Sequence, residues 1–166
     1  MLKASFYAGC AFTKSYVGYV HAVAHSLGGE YNVPHGLANA VLLPFVLEAY
    51  GSSIHAKLRK LAVEAGISDK GSSDEDAAKN FIQAVKDMKK RFGIGDTIRE
   101  IREEDISKLS HYADKEANPL YPVPVLMNAK ELEQFYYLLM EKMCIRDSIS
   151  TMYSLSILLI SPSISL

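Results

Sequence analysis

The 166-residue chain has no tryptophan, two cysteines and six prolines, and its 18 basic and 19 acidic residues leave a net charge of -1. Each scarcity excludes something. A near-neutral chain has no field with which to gather nucleic acid or an anionic membrane, so neither is expected as a partner. Cys10 and Cys144 stand far apart and cannot staple a disulfide-rich secreted domain, which makes a reducing, cytoplasmic setting the expectation. The start lacks the charged and then apolar run of a cleavable signal. No G-x-G-x-x-G loop and no alternating strand is present, so the chain is not expected to bring its own nucleotide-binding sheet.

Charge is also missing from one end. Between Ile149 and Leu166 there is none, only Ser, Ile and Leu with a few other residues. A membrane span needs about 20 predominantly apolar residues, and serines, Thr151 and Pro162 interrupt this run. A terminal strand is a second description. A third comes from Met143-Cys144-Ile145-Arg146-Asp147-Ser148, which reads as the translation of a transposon end used in preparing sequencing libraries. The natural chain is therefore expected to stop near Lys142, with 143–166 a non-native tail and 1–142 a helical metal-binding domain.

What is present is helical. Ser5 to Gly28 is rich in small residues, with Lys14 its only charged residue, and predicts a helix buried on most sides and ended by Gly28-Gly29, with Cys10 as a small buried residue. His35 to Tyr50 predicts a second helix with a kink at Pro44 and a stop at Gly51. Ile54, Leu58, Leu61, Ala62 and Ala65 share one face of a third, closed by Gly66. Ser73 with Asp76 reads as an N-cap for a helix whose apolar face is Phe81, Ile82, Val85, Met88 and Phe92. Lys86, Lys89, Lys90 and Arg91 form a basic patch at its end. A shorter helix within Arg102 to Ala117 follows, then an extended connection through Pro119, Pro122 and Pro124. Asn128 with Glu131 reads as a capping box before the last helix. The expectation is an all-α bundle of about six or seven helices, with His55 and His111 facing solvent and the tyrosines serving packing and interfaces.

Gly18 to Gly51 carries the chemistry. His21 and His25 are four apart and share a helix face, and His35 stands at the head of the next helix in Pro34-His35-Gly36. Three imidazoles can thus converge among apolar residues. Two descriptions fit them: ligands for Zn, Fe, Ni or Cu, or core histidines hydrogen-bonded to backbone. Neither two nor three histidines complete a catalytic metal shell, and the stretch holds no acid between Gly18 and Pro44 except Glu30.

The segment resembles the signature of the iron-containing (group III) alcohol dehydrogenases, running G-x-x-H-x-x-x-H-x-L-G, then P-H-G-x-x-N-A-x-x-L-P. The likeness is continuous through Gly18, His21, His25, Leu27-Gly28, Pro34-His35-Gly36, Asn39-Ala40 and Leu43-Pro44. It continues more weakly to Asn118-Pro119, which matches an Asn-Pro element before the family's last helix.

The resemblance implies a two-domain enzyme in which an α/β half binds NAD or NADP and a helical half supplies most of the metal site. It implies His21 and His35 as two of four ligands to Fe(II), with Zn as the alternative ion. The other two, an Asp and a His, belong to an upstream Asp-x-x-x-His element that is not found before His21. It also implies that His25 lines the cleft and relays a proton, and that Phe12 packs against the substrate cavity. The implied substrate is a short alcohol or aldehyde, and the complete enzyme a homodimer or larger homo-oligomer. Without the missing half and two ligands, the chain is expected to bind no nucleotide and to be inactive alone. The alternatives are a zinc-dependent relative of glycerol dehydrogenase or dehydroquinate synthase, and a non-catalytic helical metal-binding or membrane-tethered module.

Overall fold

In the computed structural model, residues 1–140 are described; the expected non-native tail lies outside the described residues. The described residues form seven α-helices: α1 (Leu2–Ser15), α2 (Tyr19–Tyr31), α3 (His35–Tyr50), α4 (His55–Glu64), α5 (Asp74–Arg91), α6 (Ile106–Ala117) and α7 (Ala129–Leu139). Short 3-10 turns, Gly51–Ile54 and Glu103–Asp105, precede α4 and α6. A lone β-bridge between Ile98 and Met140 is the only strand-like pairing among the described residues.

Local sequence chemistry accounts for most boundaries. The Ser73 hydroxyl accepts the N–H of Asp76 at 3.0 Å, capping α5 behind three acidic residues that favour the positive end of its dipole. Asn128 and Glu131 close the capping box of α7, each accepting the other's backbone N–H at 3.0 and 2.8 Å. Gly51 and Gly66, at φ of 53° and 67°, end α3 and α4 in a conformation that a side chain disfavours. Helix α3 is continuous across Pro44, which is buried.

The first stretch departs from expectation. Instead of one buried helix over Ser5 to Gly28 there are two, separated at Tyr16 to Gly18, where Tyr16 takes a φ of 59°. Helix α1 buries none of its residues, so Cys10 is exposed, not buried, and Leu2, Phe6, Tyr7 and Phe12 face outward. Small residues made α1 resemble a core helix, but burial depends on a neighbour to pack against. Helix α2 runs through Gly28-Gly29 and ends at Asn32, whose left-handed backbone lets its N–H donate to the Gly28 carbonyl at 3.0 Å.

One core joins α2, α3, α6 and α7. Tyr19, Leu27, Leu42, Leu109, Phe135 and Tyr136 are among its fully buried members. Buried phenols must find partners. The Tyr19 hydroxyl donates within reach of Asn118 Oδ1 (3.0 Å) and the Met127 carbonyl (3.1 Å), and accepts the Met127 N–H at 2.9 Å. That knot ties α2 to the proline-rich connection. The Tyr136 hydroxyl does the same between Ser26 (2.7 Å) and the Leu109 carbonyl (3.1 Å), joining α2, α6 and α7.

A second cluster, Ile54, Leu58, Ala78 and Ile82, packs α4 on α5. Here the amphipathic expectation holds only in part. Leu61, Met88 and Phe92 are exposed, whereas Lys89, expected as part of a basic patch at the helix end, is buried. Its Nζ donates to Asp96 at 2.8 Å and to the Val41 carbonyl at 3.4 Å, and sits 5.7 Å from the Phe45 ring centroid. A buried ammonium needs such partners, and they fasten α5 to α3. His111 is exposed as expected; His55 is half-buried.

Candidate metal and catalytic site

Helices α2 and α3 pack against each other and bring their histidines together. His21 and His25, one turn apart on α2, lie with ring centroids 5.9 Å apart, and His35 in the first turn of α3 is 5.4 Å from His21 and 5.2 Å from His25. The convergence read from the spacing is therefore present. Val23, Ala24 and Leu27 anchor α2 from beneath, while Val41 and Leu42 anchor α3.

The three rings have different partners. His25 is exposed, stacks on His35 with 22° between planes, and meets Glu116 Oε1 through Nδ1 at 2.7 Å. The Tyr121 hydroxyl donates to the same Oε1 at 2.8 Å. The Asn39 amide donates to the His35 carbonyl at 2.8 Å and directs its other hydrogen to His35 Nε2 at 3.0 Å, which makes Nε2 the acceptor nitrogen of that ring. Asn39 Oδ1 is buried without a partner. His21 has its pKa lowered from 6.5, first by burial and then by the neighbouring His35 and His25, with Glu116 acting in the opposite direction.

Because the folded chain disfavours protonated His21, the unfolded chain binds more protons as pH drops below 6.5, and stability must fall with it. Above 6.5 this contribution is flat. In the metal-free chain, thermal midpoints measured from pH 8 down to pH 5 should decline more steeply below about 6.5 than in His21→Gln, where this source of pH dependence is removed. Identical slopes for the two chains would contradict the assignment.

Beside His21 lies a cleft of about 480 Å³ lined by Val17, Gly18, Val20, Asn39, Ala40, Leu43, Tyr50, Pro122, Val123 and Pro124, among others. Its walls are mostly apolar, with His21 and Asn39 as polar points. Pro44 has no N–H to give the carbonyl of Ala40, so that oxygen lacks its helical partner at the cleft wall. Burial pushes the Tyr50 phenol up to about 12, so at neutral pH it presents a hydroxyl. Phe12 lies apart on exposed α1 and is not among the residues that line this cleft.

The donor set can be tested against a metal. Two imidazoles ligating one ion at about 2.0–2.1 Å put their ring centroids about 5 Å apart, which His21–His35 at 5.4 Å and His25–His35 at 5.2 Å both approach, although His25 Nδ1 is held by Glu116. Burial favours neutral His21, and the His35 Nε2 lone pair is here taken by the Asn39 amide, which an ion on that nitrogen would have to displace. Among the described residues no group of three or more His, Cys, Asp or Glu is placed to hold an ion. Two imidazoles are fewer donors than a catalytic metal shell needs.

Sequence reasoning missed Glu116 and Asn39 as members of this cluster. Asn39 was visible, since it stands one turn from His35 in the helix. Glu116 was not, because it lies 91 positions from His25 and only the packing of α6 on α2 brings the two together.

The described residues form an all-helical domain that brings three imidazoles together beside an apolar cleft. The chain belongs to the iron-containing alcohol dehydrogenases: the family model for the C-terminal part, Fe-containing alcohol dehydrogenase family, C-terminal, matches residues 1–140. A 1,3-propanediol dehydrogenase of Citrobacter freundii is 37% identical over 138 residues, 82% of this chain and 35% of that protein. A lactaldehyde reductase of Escherichia coli K12 is 36% identical over 115 residues, 68% of this chain and 30% of that protein. Among solved structures, an alcohol dehydrogenase from Oenococcus oeni superposes with a TM-score of 0.71 at 32% identity, covering 80% of this chain and 35% of that one. The chain thus spans about a third of the length of these relatives. The all-α class agrees with the expectation.

Proposed function

We propose that this chain is the helical half of a metal-dependent, NAD(P)-linked dehydrogenase or reductase of short alcohols and aldehydes. The observation that carries the reading is the meeting of His21, His25 and His35 within 5.9 Å of one another, with His21 on the wall of an apolar cleft, in a chain of this family. His21 and His35 would hold an Fe(II) or Zn ion together with an Asp and a His from the rest of the enzyme. Such an ion polarises an alcohol or carbonyl oxygen and so eases hydride exchange with the nicotinamide, which the same remainder binds.

The residues of this chain do the rest. Val17, Val20, Leu43 and Val123 exclude water from the cleft and shape it for a small carbon skeleton. His25, exposed and not needed to hold the ion, moves the hydroxyl proton between substrate and solvent. The helical run His35–Glu64 has the length and hydropathy of a membrane span. Its α3 part also supplies Ala38, Val41, Leu42 and Val46 to the core, and we place the enzyme in the cytoplasm.

The division of labour can be tested directly. The 166-residue chain, loaded with Fe(II) or Zn(II) and supplied with a short primary alcohol and NAD or NADP, is expected to show no dehydrogenase turnover above background. A full-length enzyme containing it is expected to turn over. Turnover by the 166-residue chain would overturn the assignment of the nicotinamide site and two ligands to the rest of the enzyme.

A further inference from the structure

Glu116 reaches the imidazole cluster from α6, and its Oε1 is engaged twice. Burial, and then the hydrogen bond to Glu116, push Tyr121 up to about 12, so its phenol keeps its proton and donates it at 2.8 Å. The second contact is His25 Nδ1 at 2.7 Å. A carboxylate only accepts, so the hydrogen in that contact belongs to Nδ1. Tyr121 follows the proline turn after α6, and Tyr19 and Asn118 hold the start of that turn through the Met127 carbonyl and N–H. The carboxylate is thus braced from its own helix and from the connection beyond it.

We propose that Glu116 is a positioning residue for His25: it fixes the ring as the Nδ1–H tautomer, with Tyr121 bracing the carboxylate, and leaves Nε2 as the only nitrogen with a lone pair. This rests on the reading of His25 as the proton-moving group. Imidazole in the other tautomer would offer a hydrogen where a lone pair is needed. Glu116 does not itself touch substrate. It sets which face of the acid–base chemistry His25 presents.

The hold can be read without turnover. Long-range 1H–15N correlation on the full chain, with histidine labelled and His25 identified by its loss in His25→Gln, reports the tautomer directly at about pH 8.5, above the usual histidine range. The hydrogen is expected on Nδ1 in the unaltered chain and in Glu116→Gln, whose amide oxygen still accepts, and to shift towards Nε2 in Glu116→Ala. An Nε2–H ring in the unaltered chain, or an unchanged Nδ1–H ring in Glu116→Ala, overturns the proposal. In the full-length enzyme, Glu116→Ala should lower kcat about tenfold to a hundredfold with KM and bound metal unchanged, and Glu116→Gln should recover part of it. A change in KM alone also overturns it. If His25→Ala leaves kcat intact while Glu116→Ala still moves the tautomer, the hold stands and the proton role of His25 is what fails.

Discussion

His25→Ala in the full-length enzyme is expected to lower kcat by about a hundred- to ten-thousand-fold while the enzyme keeps its metal. The magnitude follows from the role: a positioned imidazole that transfers a proton in the transition state contributes that much, and its loss leaves polarisation of the substrate oxygen untouched. The ring is not a wall of the apolar cleft, so KM for the alcohol should move little. Steady-state kinetics with a short primary alcohol, at saturating nicotinamide, separates the two parameters. An equal fall in kcat and rise in KM would show that His25 binds substrate and does not handle its proton.

His21→Ala is expected to have the larger consequence, because turnover should disappear altogether. His21 borders the cleft and lies 5.4 Å from His35, so on the proposed assignment its removal would take away one of the two nitrogens this chain contributes to the metal. Metal also stabilises whatever folded state binds it. The metal-induced rise in thermal midpoint expected of the unaltered full-length enzyme should therefore be absent in His21→Ala, and adding excess Fe(II) or Zn(II) should not restore turnover. Rescue by excess metal would mean that His21 merely tunes an ion held elsewhere.

Much of this was legible in the residues. Ser73, Asn128 with Glu131, Gly51 and Gly66 act through backbone groups one turn away, so their caps and stops could be read without a fold. The same holds for the imidazole pair at positions 21 and 25, since four residues of helix place them on one face whatever else the chain does. His35 needed one step more, a turn that folds α3 back beside α2, and Asn32 with Val33 and Pro34 provides it.

What could not be read depends on distant partners. Lys89 sits among Lys86, Lys90 and Arg91 and has no local mark of burial; its place is decided by Phe45 and the Val41 carbonyl on another helix and by Asp96 after its own. Glu116 stands beside Asp114 and Lys115 in a charged run, and only the docking of α6 turns it towards His25. The error over α1 has the opposite origin. Its many small residues and few charges, Lys3 and Lys14, satisfy the composition of a core helix, yet none of its residues is buried among the described residues.

The central claim is that His21 and His35, and not His25, are this chain's contribution to the metal shell. Metal content per subunit, measured on full-length His21→Ala, His35→Ala and His25→Ala enzymes purified in parallel, tests it most directly. The account predicts loss of the ion in the first two and retention at the unaltered enzyme's stoichiometry in the third; equal loss in all three, or retention in His21→Ala, would contradict it.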